Sequence, residues 1–103
     1  LAQDFLSRPT KNAYVLSLKQ AGISYQRQVA LPIVYKDVRL DCGYRMDIVI
    51  QNELIIEIKA VDRILPVHEA QMLTYLRLSR LRAGLLLNFN KVVLKDGLRR
   101  FVL

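Results

Sequence analysis

The stretch YRMDIVI-QNE-LIIEIKA, residues 44–60, decides the fold. In its first part Met46, Ile48 and Ile50 alternate with Arg45, Asp47 and Val49. In its second, Leu54, Ile56 and Ile58 oppose Ile55, Glu57 and Lys59. Period-two alternation in β-branched sequence predicts two neighbouring strands. Gln51-Asn52-Glu53 then forms the hairpin loop, with Asn52 able to take a left-handed conformation. Loop length has a chemical consequence. Three loop residues pair Ile50 with Leu54 and Asp47 with Glu57, which puts both carboxylates on one face with Cβ atoms about 5 Å apart. A two-residue turn would slip the register by one and send the acids to opposite faces.

A carboxylate inside an apolar strand costs several kcal/mol unless something compensates it. Here two occur in consecutive strands, and Lys59 follows Glu57 on the same face. Two carboxylate oxygens with a backbone carbonyl and water suit a hard divalent cation, Mg²⁺ or Mn²⁺. Such an ion acidifies bound water and polarises a phosphoryl oxygen, and Lys59 beside it can orient the water or stabilise charge on the phosphate. The same residues also fit a cross-strand ion pair, Asp47–Lys59 or Glu57–Lys59, on a solvated face. Spacing alone does not choose between the two.

Outward from this hairpin, residues 12–21 carry apolar side chains at helical spacing (Ala13 and Leu16, less regularly Val15 and Leu18), with Gly22 as the expected cap. Pro9 starts or kinks that helix. Residues 23–40 read as two short strands with Pro32 at an edge or bulge and Lys36-Asp37 as a turn. Pro66 opens a helix over 67–83 that Gly84 closes. LLLNF (85–89) is a buried strand, and a terminal hairpin turns at Asp96-Gly97. The order is α-β-β-β-β-α-β-β. On the long helix His68, Gln71, Tyr75 and Arg82 fall within about 60° of one another, a polar stripe fit to face phosphate.

With 103 residues and 52% hydrophobic content, the chain suits one domain over 1–103. It opens on Leu1 rather than methionine, which leaves room for a longer parent chain. No apolar run reaches the roughly 20 residues of a membrane span, and no secretory signal opens the sequence. A single cysteine, Cys42, excludes an internal disulfide and fits a reducing compartment such as the cytoplasm. The net charge of +7 favours a polyanionic partner. Arg45, Arg63, Arg77 and Arg82, with His68, are the candidates for phosphate contacts, whereas Arg80 also fits a solvated helix face. Nothing demands a homodimer, although exposed hairpins leave room for one.

Asp47…Glu57-Ile58-Lys59 followed by Gln71-x3-Tyr75 resembles the PD-(D/E)XK nuclease superfamily in its RecB-like arrangement. More narrowly, the chain is similar to the small bacterial family named for an N-terminal GxxExxY motif. That similarity runs through residues 28–40, 43–50, 56–78, 84–89 and 94–102. The resemblance implies an α/β fold, a restriction-endonuclease-like domain with a central mixed β-sheet flanked by helices. It implies that Asp47 and Glu57 bind Mg²⁺ (or Mn²⁺), that Ile58 lends its carbonyl and that Lys59 assists hydrolysis. Gln71 and Tyr75 inherit a supporting role at the site. The N-terminal motif departs from the family: its positions fall on Asp4, Ser7 and Thr10, so Ser7 replaces the glutamate. The leading expectation is a metal-dependent nuclease acting on DNA. The alternative is a nuclease-fold protein with impaired catalysis that serves as a nucleic-acid-binding or assembly module.

Overall fold

The computed structural model describes residues 11–89 and 98–102. Helix α1 (Lys11–Gln20) leads into strands β1 (Tyr25–Ala30), β2 (Ile33–Tyr35), β3 (Val38–Leu40), β4 (Arg45–Ile50) and β5 (Leu54–Lys59). Helix α2 (Pro66–Ser79), β6 (Ala83–Asn88) and β7 (Leu98–Val102) follow. Five strands form one sheet in the order β1-β4-β5-β6-β7. Among the described strands only β5 and β6 run parallel, because α2 carries the chain back between them, so the sheet is mixed. The fold is α/β, as expected.

Among the described residues each face of the sheet is covered by one helix. Met72, Tyr75 and Leu76 of α2 pack on Met46, Val49, Ile55 and Leu86. Val15 and Leu18 of α1 pack on Ile48, Ile56, Ile58, Leu87 and Phe89 on the other face. The central strands are therefore buried on both sides, which explains their continuous apolar character. Ile55, Ile56, Met72, Leu76 and Leu86 are fully buried, so the sheet that carries Asp47 and Glu57 is rigidly held.

Ile50 pairs with Leu54 across Gln51-Asn52-Glu53, as the three-residue loop requires. Gln51 and Asn52 are both left-handed, with φ of 53° and 55°. At the end of α1, the Gly22 N–H donates to the Lys19 carbonyl and the Ile23 N–H to that of Leu18, a paired closure that positive φ at Gly22 permits.

Several expectations are corrected. In α1 the buried pair is Val15 and Leu18, while Leu16 is exposed. Residues 23–40 hold three strands rather than two, since β2 and β3 pair across Lys36-Asp37 as a separate ribbon. Pro32 lies between β1 and β2, outside both. Helix α2 ends at Ser79, four residues early, with Arg80 left-handed and its N–H on the Leu76 carbonyl. Ser79 Oγ accepts the Leu81 N–H, a local alternative to continuing the helix. Ala83 and Gly84 are instead drawn into the sheet opposite Leu54 and Ile55. Gly84 is thus no helix cap. A Cβ there would sit 2.3 Å from Met72 Sδ, so the glycine lets α2 approach the sheet. The terminal LRRFV strand pairs with β6, while the Asp96-Gly97 turn and the strand before it lie outside the described residues.

Candidate metal centre

The β4–β5 ladder gives way at the two acids. Ile48 opposite Ile56 is the last regular pair at that end. Beyond it, the Asp47 N–H donates to Glu57 Oε1 at 2.9 Å, and the Ile58 N–H donates to Asp47 Oδ2 at 3.0 Å. Each carboxylate takes a donor from the other's strand, so side chains replace the backbone ladder. On the far side of β4, Gln28 has no ladder partner, takes φ 52°, and donates through Nε2 to Asp47 Oδ1 at 3.1 Å. This break shifts the alternation. Met46 was expected on the face of Ile48 and Ile50, but it packs with Val49 on the α2 side.

Both acids are buried, Asp47 at 9% exposure and Glu57 at 4%. Burial is the largest influence on Glu57 and raises its pKa from 4.5 to about 7, against the Asp47 N–H bond that lowers it. The Asp47 charge raises it further, while Lys59 and Lys11 oppose the rise. Lys11 Nζ lies 2.9 Å from Asp47 Oδ1. Lys59 Nζ does not pair with either acid; it donates to Gln71 Oε1 at 2.9 Å. Gln71 Nε2 in turn donates to the Tyr75 hydroxyl at 3.1 Å. Burial first, then the Glu57 charge, raises the Tyr75 phenol above its ordinary 10 and keeps it protonated. The result is a continuous polar chain from β5 to α2.

The structure brings together Asp47, Glu57, Lys59, Gln71 and Tyr75, with Ile58 at the centre. In a strand the N–H and C=O of one residue leave on the same side, so the Ile58 carbonyl faces the gap into which its N–H points. The polar stripe is reduced to Gln71 and Tyr75. Arg82 lies beyond the end of α2, and His68 Nδ1 accepts the Leu65 N–H at 2.9 Å, capping the helix. Arg45 is tied to Asp41 at 3.1 Å. Arg63, Arg77, Arg80 and Arg82 are exposed. The family's N-terminal positions Asp4, Ser7 and Thr10 lie outside the described residues, as does Pro9.

Three site residues escaped the sequence reading. Gln28 carried no pattern, because its role depends on a left-handed backbone in an edge strand. Asn88 is fully buried and bonds both the Val61 carbonyl, at 2.8 Å, and the Val61 N–H, at 3.1 Å, fixing the chain as it leaves β5. Lys11 had a usable signal. Lys11, Val15 and Leu18 share the i, i+4, i+7 face, and two of them are buried against the sheet.

The donor set fits a hard divalent cation. Two buried carboxylates interlock around one gap, and burial leaves Glu57 half-neutral near pH 7 although Lys59 and Lys11 oppose the rise. Among the described residues no group of three His, Cys, Asp or Glu side chains forms.

The sequence matches the PD-(D/E)XK nuclease superfamily over residues 1–101. The chain belongs to this superfamily. No curated protein and no solved structure matches it. PD-(D/E)XK nucleases generally use divalent metal ions and act on nucleic acid, in keeping with the acid pair at the open end of the β4–β5 ladder. No helix among the described residues is long and apolar enough to cross a membrane.

Proposed function

We propose that the protein is a Mg²⁺- or Mn²⁺-dependent phosphodiesterase acting on DNA. One observation carries this reading: Asp47 and Glu57 interlock across an opened strand pair, both buried, and that burial holds Glu57 well above the usual carboxylate range. Asp47, Glu57 and the Ile58 carbonyl would hold the ion. When bound, it would supply an acidified water and a polarised phosphoryl oxygen. Lys59, steadied by Gln71, holds an ammonium beside the acids without being neutralised by them, ready to orient the nucleophile or meet developing charge. Tyr75 fixes Gln71 and thereby the direction of Lys59. Exposed Arg63, Arg77 and Arg82 add phosphate contacts that position the strand without reading its sequence.

The test is cleavage of single- and double-stranded DNA with Mg²⁺ or Mn²⁺. The expected result is cleavage that chelator abolishes, with Asp47→Ala and Lys59→Met each slowing it by about 100-fold or more. Intact DNA under all these conditions, or cleavage that survives chelator, would overturn the reading.

A further inference from the structure

Asp47 Oδ1 is occupied in a way a metal ligand is not. It accepts from the Lys11 ammonium at 2.9 Å and from the Gln28 amide at 3.1 Å. A carboxylate oxygen offers about two acceptor positions, so both are taken. Oδ2 already holds the Ile58 N–H. Lys11 reaches this point because α1 is docked by Val15 and Leu18, on the same helix face. Its side chain remains 44% exposed, so the ammonium has open solvent to withdraw into.

We propose that Lys11 is an intramolecular counter-cation that holds Asp47 in the metal-free protein and is exchanged out when a divalent ion binds. The inference rests on the metal reading above and adds the regulation of that site. Two positive groups on one carboxylate repel each other strongly where water is scarce. The ion therefore binds against Lys11, and the protein's metal affinity is set by that competition. In the metal-free state Lys11 relieves the charge of the acid pair and fastens the first turn of α1 to the sheet. After exchange, its ammonium is released at the mouth of the site, where the substrate phosphate would lie.

The experiment is Mn²⁺ titration of the wild type, Lys11→Met and Lys11→Arg by calorimetry. Lys11→Met keeps most of the stem and removes the charge. It is expected to tighten Mn²⁺ binding on the order of tenfold, the worth of one charge-assisted hydrogen bond, while Lys11→Arg stays near wild type. In parallel, ¹³C-methylated lysines of the wild type are followed through a Mg²⁺ titration, with the Lys11 signal assigned by its absence in Lys11→Arg. That signal is expected to shift with the midpoint of metal binding, a readout that needs no folded Lys11→Met. Metal binding by the wild type with unchanged affinity in Lys11→Met, or with a stationary Lys11 signal, overturns the exchange and leaves the metal reading standing. Failure of all three proteins to bind Mn²⁺ overturns the metal reading and the exchange together.

Discussion

Glu57 shows how one side chain records what its surroundings lack. Buried beside Asp47, it keeps a proton to about pH 7 where a free glutamate loses it near 4.5. Between those values the folded protein binds a proton that the unfolded chain has released, so stability falls as pH rises through the window and levels off above it. Glu57→Gln retains the acceptor for the Asp47 N–H and removes the ionisation. In chelator, the variant is expected to unfold together with wild type near pH 4.5. At pH 8 it should be more stable by up to roughly 3 kcal/mol, as measured by urea unfolding. A gap between the two proteins that does not change with pH would contradict this origin for the Glu57 shift. Asp47 and Glu57 were legible in the sequence because acids in apolar strands are conspicuous. Gln28 and Asn88 were not, since each acts through a backbone geometry that residue type does not announce.

The elements themselves were read well where local and tertiary preferences agree. The 51–53 loop has three residues, so Ile50 meets Leu54 and the acids converge. Gly22 ends α1 because the left-handed cap is a local demand. The reading failed where tertiary pairing overrode propensity. Ala83 and Gly84 continue a helical pattern, yet β5 needs a parallel partner and takes them. Arg82 left the polar stripe for the same reason. Gly84 also tests the packing of α2. Gly84→Ala would place a methyl group at 2.3 Å from the Sδ of fully buried Met72. Overpacking of this kind is expected to cost about 1–3 kcal/mol, lowering the Tm measured by calorimetry. Combined with Met72→Ala, the Gly84→Ala loss is expected to be smaller than in the wild-type background, a non-additivity that packing against any other residue would not produce.

At the scale of the whole molecule, the described helices α1 and α2 clamp a mixed sheet from opposite faces, and each contributes a lysine-bearing or lysine-holding group to one gap. Lys11 arrives from α1 on one side, and Gln71 of α2 holds Lys59 on the other. The layering was legible through the family resemblance, which implies a central mixed sheet flanked by helices, while the hairpin strands themselves read as alternating. The convergence of the two helices on Asp47 and Glu57 was not, because it depends on how each helix rotates about its own axis. The chain carries a net charge of +7, with the Asp47–Glu57 pair buried inside it. The most direct test of the account is anomalous diffraction from a crystal soaked in Mn²⁺ near pH 7.5. The account predicts one strong peak within coordination distance of both Asp47 and Glu57, with Lys11 withdrawn from Asp47, and no such peak in Asp47→Ala. A soaked crystal with Mn²⁺ bound elsewhere and the Lys11–Asp47 pair intact would contradict it.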